Sequence, residues 1–352
     1  MTFTTKLKNK ESYLESVSVL DKRTIEIKKR ILRYFSEFCQ AKFQESDEEI
    51  ISELMKQSQE DRVTNGIDLL QYFINHLTKT VRPITIKNYV PQVNGYFNYR
   101  GIKLSPLDMK AIRYPQEIRE EKYPLSKEEI KLILDNSSYK RKMLYLVLAS
   151  SGMRIGETVQ LRKKDFDTSG KRIVINIPAR ITKGKRSRRT LVSLEAKPYL
   201  MKRLNEIEDN NLVFGTNKKE NPILSEVTEE ATFLKIIDRV FPNLERYESG
   251  RRKISLHSFR AFFITQAVRT VSDSFAHTLA GQEGYLKVYK RYDKEALLED
   301  YLKLEPALFI INDYGLSEIS KDKEIESMKS DIKYLKKMFS GFVEKMSKNE
   351  SS

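Results

Sequence analysis

Two short stretches decide what this chain can fold into. "KRIVINIPA" (171–179) and "RRTLVSL" (188–194) are β-branched runs of strand length, and they are the strands the sequence predicts. Between them lies "RITKGKRS", a glycine-containing and highly basic turn, so the pair reads as a hairpin. The other periodic stretches space their apolar residues three and four apart, which is the helical pattern. The expected fold class is therefore mainly α with a small antiparallel β-sheet (α+β).

The helices fall into blocks. Residues 1–16 read as an N-terminal tail and 17–113 as a compact bundle of four or five helices. In this bundle "TIEIKKRILRYFSEFCQAKF" carries a stripe of Ile27, Ile31, Leu32, Phe35 and Phe38, and Ser46 with Glu49 forms a capping-box pattern. The fourth segment, "RPITIKNYVPQVNGYFNYRGI", has Thr85 as its expected cap and Pro91 as an expected kink. Lysines and aromatics interleave on it, and Lys87 sits where a helix lying across a phosphate backbone would place a cation. Residues 114–125, charged and poor in apolar side chains, form a linker. A second domain spans 126–312, opened by Ser126 and Glu129 and including "RKMLYLVLASSG", an apolar helix stopped by Gly152. Across 317–348, Ile325, Met328, Ile332, Leu335, Phe339, Phe342 and Met346 alternate spacings of three and four, the pattern of an amphipathic or coiled-coil helix.

Charge narrows the partner. With 64 basic and 49 acidic residues the net charge is +15 and the pI about 9.5, which points to a polyanion, most simply nucleic acid. One cysteine, Cys39, rules out a disulfide framework, and with three scattered histidines it argues against a His/Cys metal site. The N-terminus lacks the apolar run of a signal peptide, and no stretch approaches about 18 uncharged apolar residues. An intracellular, cytoplasmic chain with no membrane partner is expected.

The chemistry-bearing residues gather in the second domain. "SGMRIGETVQL" puts Arg154 at a glycine turn with Glu157 three residues on, and the hairpin carries Lys183, Lys185, Arg186, Arg188 and Arg189. "HSFR" supplies His257 and Arg260, and "HTLAGQEGYLKVYKRY" supplies His277, Gln282, Tyr285, Tyr289 and Tyr292. Paired arginines can clamp the non-bridging oxygens of one phosphate and stabilise the extra charge of a pentacovalent transition state. A lysine can protonate a leaving alkoxide, a histidine can move a proton, and a tyrosine hydroxyl can hold phosphorus covalently. None of this needs a metal.

In this order and context the motifs resemble the tyrosine recombinase (phage integrase) family, over about residues 120–300, and the spacing is similar to that of archaeal members. The resemblance implies that Arg154 and Arg260 clamp the scissile phosphate, Glu157 supports the Arg154 turn, and Lys183 is the general acid. His257 would handle a proton beside Arg260, and 17–113 would be the core-binding, DNA-binding domain of the family. Lys87, Lys185, Arg186, Arg188 and Arg189 would bind DNA. Two features depart from the family. Gln282 stands where His or Trp is usual, with His277 five residues early. The nucleophile is Tyr289 from its "YKR" context, with Tyr292 and then Tyr285 as alternatives. The implied activity is site-specific cutting and rejoining of double-stranded DNA through a 3′-phosphotyrosyl link, for integration, excision or resolution of a mobile element. No cofactor and no small-molecule substrate are expected; the partners are duplex DNA and further copies of the chain, a dimer to a tetramer on DNA, in the nucleoid. A type IB topoisomerase-like strand transferase and a non-catalytic DNA-binding relative are the alternative functions.

Overall fold

The computed structural model describes residues 8–118, 120–121, 123–215, 221–282 and 293–311, with 328 and 332. The chain divides into two units, Met1–Glu120 and Glu121–Ser352.

The first unit is helical: α1 (Lys10–Ser16), α2 (Lys22–Phe43), α3 (Asp47–Lys56), α4 (Gln59–Leu77) and α5 (Pro83–Arg100). Side-chain caps set most of the starts. Asp21 accepts from the Thr24 amide at the head of α2, and the Ser46–Glu49 capping box opens α3 as predicted. At α5 the expectation fails. Thr85 lies inside the first turn; Pro83 holds the first position, and Arg82 precedes it in extended backbone with no side-chain cap. A proline there lacks an amide that would have no intrahelical acceptor anyway, and it pre-sets φ for the helix. Pro91 sits within α5, which still runs on to Arg100 and ends at Gly101 (φ 105°). Residues Lys10–Ser16, expected as tail, are helical. Asn9 and Ser12 cap them reciprocally, Tyr13 is buried, and Lys10 Nζ reaches Asp47 at 2.9 Å and Ser36 at 2.6 Å. Phe35 anchors the core of this unit, with Phe73 and Phe97 edge-on to it at 5.3 and 5.6 Å. Cys39 is fully buried there, and burial pushes its thiol up to about 12, so it packs as an inert apolar group.

The second unit begins with α6 (Lys127–Asp135), α7 (Tyr139–Ser151) and the single turn α8 (Ile155–Thr158). Then come β1 (Phe166–Asp167), β2 (Ile173–Ile177), β3 (Arg188–Val192), α9 (Lys197–Asn205) and α10 (Pro222–Val240). After these come α11 (His257–Thr270), α12 (Asp273–Ala280) and α13 (Lys294–Leu308). The sheet order is β1-β2-β3, all antiparallel, with Ile175 opposite Thr190 and Ile177 opposite Arg188. The predicted hairpin is present. β1 escaped notice because two residues carry no period. The chain is thus mostly helical with a small antiparallel sheet, as expected.

Helix α7 is the central rod. Its residues from Met143 to Ser151 are all buried, so it shows no amphipathic stripe. Tyr145 on α7 stacks on Phe259 of α11 and meets Phe233 of α10, both at 5.3 Å. At the base of the unit Arg172 lies bidentate on Glu305 of α13, and Glu305 also accepts the Leu194 amide at 2.8 Å. Met328 and Ile332 are helical and more than half exposed; the rest of the heptad lies outside the described residues.

Candidate functional site

The site grows from the C-terminal end of α7. A helix leaves its last carbonyls without intrahelical donors. Here three elements supply side-chain donors in succession. Tyr301 Oη of α13 donates to Ser150 O at 2.8 Å, Thr190 Oγ1 of β3 to Ser151 O at 2.8 Å, and Arg260 Nη1 of α11 to Gly152 O at 2.5 Å. Gly152 ends the helix with φ 64°, and a Cβ there would lie 2.3 Å from the Phe263 ring. Only glycine fits both the conformation and the space. The turn that follows delivers Arg154.

Arg260 is 1% exposed, and its Nε and Nη2 have no hydrogen-bond partner among the described residues. A buried guanidinium normally has its donors satisfied. Burial, and then the charges of Arg154 and Arg188, push it down to about 10, so it remains a cation at neutral pH. Arg154 precedes α8 and is partly exposed; its Nη1 meets Glu157 Oε1 at 3.1 Å. Glu157 is 2% exposed and holds Arg188 as well, with Nη2 to Oε2 at 2.5 Å and Nη1 to Oε1 at 3.2 Å. Burial alone would push the Glu157 carboxyl up, but the bonds and charge of Arg188, then Arg154, outweigh it and hold the carboxyl below its ordinary value. Three guanidinia therefore gather around one carboxylate, an excess of positive charge in a buried place.

Arg188, expected among the DNA-contacting cations, turns inward. Strand alternation explains it: Arg188 and Thr190 share one face of β3, and Arg189 points to the other. Its side chain is 10% exposed, and its Nε donates to Leu279 O at 3.0 Å. Arg189 is exposed. Lys183, Lys185 and Arg186 are exposed on the hairpin tip, where Thr182 Oγ1 accepts the Arg186 amide at 3.0 Å and Lys185 adopts φ 52°.

His257 is the first residue of α11 and exposed, one helical turn from the buried Arg260. Gln282 follows the Gly281 cap of α12, its amide donating to His277 O at 3.0 Å. His277 itself is held by Asp273 on its own helix, Nδ1 to Oδ2 at 3.1 Å. Lys87, in the first unit, lies 3.7 Å from Glu117. Tyr285, Tyr289 and Tyr292 lie outside the described residues. Among those described, no group of three or more His, Cys, Asp and Glu could hold a metal, and no helix is long and apolar enough to cross a membrane.

A sequence model of the phage integrase family matches residues 124–293. No curated protein matches the chain. Among solved structures, the Tn1549 transposon integrase in complex with transposon right-end DNA is 14% identical, with a TM-score of 0.56 over 83% of this chain and 98% of that one. A lambda integrase dimer bound to a COC′ core site is 12% identical, with a TM-score of 0.56 over 81% of this chain and 98% of that one. A lambda integrase tetramer bound to a Holliday junction is 12% identical, with a TM-score of 0.55 over 80% of each chain. These are likenesses of fold. The family match covers the Arg154 turn, the basic hairpin, the HSFR helix and the segment after Gly281, and it identifies residues 124–293 as a domain of the phage integrase family, that of the tyrosine recombinases.

Proposed function

We propose that this protein is a site-specific DNA recombinase, cutting and rejoining duplex DNA through a 3′-phosphotyrosyl intermediate. The observation that carries the reading is Arg260, buried with Nε and Nη2 unpartnered among the described residues, beside two more guanidinia that share a single carboxylate. Such an arrangement is incomplete without an anion, and a phosphate diester supplies two non-bridging oxygens to a bidentate donor. The family match supplies the reaction class.

In this reading Arg154 and Arg260 hold the scissile phosphate and stabilise the added charge of the pentacovalent transition state. The tyrosine hydroxyl, Tyr289 with Tyr292 as the alternative, attacks phosphorus and gives its proton to His257. The bond to the 5′ oxygen breaks as Lys183 protonates that oxygen, and Gln282 donates a hydrogen bond to a phosphate oxygen without acting as an acid. The link to tyrosine keeps the ester bond, so a free 5′ hydroxyl can reverse the step without ATP. Lys87 in the first unit, with Lys185, Arg186 and Arg189 on the hairpin, would hold the DNA backbone, and the helical first unit would serve as the core-binding domain. Several copies would act together on paired duplexes, in the cytoplasm at the nucleoid.

The test is a nicked suicide duplex carrying the protein's own recombination site, from which the cut fragment diffuses away and leaves the adduct trapped. A covalent adduct whose phosphotyrosyl peptide contains Tyr289 is expected. Mapping to Tyr292 or Tyr285 moves the nucleophile. Specific binding with no adduct at any tyrosine overturns the catalytic reading in favour of a DNA-binding relative.

A further inference from the structure

We infer that Arg188 is a positioning residue, a strut that fixes the Arg154 arm of the phosphate clamp relative to the C-terminal end of α12. The inference rests on the reading of Arg154 as a clamp residue. From its place on the hairpin strand, the Arg188 side chain ties two other family-matched segments together. Two nitrogens hold Glu157, which also holds Arg154; the third, Nε, holds Leu279 O at the end of α12. The fit at that end is close, for a Cβ on Gly281 would lie 2.8 Å from Arg188 Nε and 2.9 Å from Cζ. Gly281 thus has a reason beyond its φ of 64°: it lets a guanidinium lie flat across the helix end. The next residue is Gln282, and the tyrosines follow within ten more.

The strut belongs to β3, and the exposed cations Lys183, Lys185 and Arg186 lie on the turn just before it. Pull on the hairpin by a bound backbone would reach Glu157 and Leu279 through Arg188. Three of its five donors are used on fixed acceptors, and the side chain is nine-tenths buried, so its work is internal rather than on DNA. Displacing a reacting group by as little as ~1 Å costs on the order of 100-fold in rate, which is the scale a strut protects.

The experiment compares wild type, Arg188→Lys, Arg154→Ala and the double variant on the suicide duplex, with adduct rate at saturating DNA and affinity measured separately. Lysine keeps a charge for Glu157 but lacks the fork that also reaches Leu279 O. We expect Arg188→Lys to keep DNA affinity and slow cleavage on the order of 10- to 100-fold, and the double variant to be no slower than Arg154→Ala. A wild-type cleavage rate in Arg188→Lys, or losses that multiply in the double variant, overturns the strut. A loss confined to affinity, cured at saturating DNA, makes Arg188 a DNA contact instead. Should Arg188→Lys fail to fold, Gly281→Ala carries the test: it leaves every charge in place, puts a methyl against the guanidinium, and is expected to slow cleavage without weakening binding; normal cleavage overturns the strut. Wild-type cleavage by Arg154→Ala would instead sink the clamp reading, and the strut with it.

Discussion

The second unit buries two sets of charges, and they are built to opposite rules. At its base Arg172 meets Glu305 with both arms of its fork, Glu305 takes the Leu194 amide as well, and Glu195 takes the amides of Ile310 and Ile311. At the other set Arg154 and Arg188 share the single carboxylate of Glu157, while Arg260 meets only the Gly152 carbonyl and two of its nitrogens have no partner among the described residues. The first set is closed and can only hold the fold together. The second carries excess positive charge and leaves donors unused, which is what the proposed phosphate would complete. Burial of an arginine is thus uninformative by itself; the partner inventory around it separates a brace from a binding site.

This contrast breaks most easily at its strong end. Arg172→Met leaves Glu305 buried with its main cation gone, and should cost about 3–5 kcal/mol of stability. In a domain of this size that is a melting temperature lower by roughly 10 °C, while the molecules still folded cleave DNA at the normal rate. Arg260→Ala should do the reverse. Cleavage at saturating DNA falls on the order of 10²–10³-fold, about 3–4 kcal/mol of transition-state stabilisation, while the lost donor to Gly152 O costs only about 1–2 kcal/mol of stability, a smaller drop in melting temperature than in Arg172→Met. Loss of chemistry without loss of stability in Arg172→Met, or collapse of the fold in Arg260→Ala, would show that the two sets are not built to different rules.

Smaller effects sharpen the boundary between them. Thr190→Val and Tyr301→Phe each remove one donor from the α7 carbonyls at nearly constant shape, and each should lower stability by about 1–2 kcal/mol in chemical denaturation. Because Thr190 and Arg260 serve adjacent carbonyls, Thr190→Val is also expected to slow cleavage, whereas Tyr301→Phe, one residue further back, should not. The smallest effect is a difference in pH response. Glu157 is held below its ordinary 4.5, so its stabilisation is present above that value and lost as pH falls through the lower folded pKa. Burial, opposed by the amides of Ile310 and Ile311, raises Glu195, so its contribution is largest in acid and is lost as pH rises through the higher folded pKa. Thermal melts of Glu157→Gln and Glu195→Gln from about pH 4 to 8 should therefore diverge from wild type in opposite directions: the first at neutral pH, the second in acid. Parallel curves would mean that the two carboxylates sit in equivalent surroundings.

Much of the fold was legible because its signals are local. The Ser46–Glu49 and Ser126–Glu129 boxes, the glycine stop at Gly152 and the β-branched hairpin each announce themselves within a few residues. The motif residues Arg154, Glu157 and Arg260 were nameable for the same reason, and the structure brings them together around one carboxylate. What was hidden depends on distant partners or on the far side of a strand. Arg188 reads as one more cation of a basic turn until alternation on β3 turns it inward beside Thr190. Tyr301 and Thr190 look like packing residues, because nothing in the sequence says that they meet the end of α7. The helix at Lys10–Ser16 was missed because it depends on Asp47 and Ser36, 37 and 26 residues away. Pro83 displaced the expected Thr85 cap because a proline at the first helical position pre-sets φ and starts the helix two residues earlier.

The linker, finally, is pinned at both ends. On one side the Gln71 amide brackets Arg113, accepting its N–H at 2.8 Å and donating to its carbonyl at 3.1 Å, and Tyr114 packs on the first unit's core. On the other the Tyr123 amide donates to Tyr247 Oη at 2.7 Å, and Tyr123 Oη meets Glu129. From Tyr114 to Tyr123 the chain takes nine steps, a tether of at most about 30 Å, and Glu117 within it meets Lys87 of the first unit. In the proposed reading, where each unit holds the duplex, a tether that short would raise the local concentration of either unit around the other's DNA to roughly millimolar. If one unit lets go of the duplex, recapture competes with escape on favourable terms. Two individually modest grips would then release as slowly as one strong grip, and the proposed reaction, which holds a broken strand across its midpoint, would gain time to reseal it.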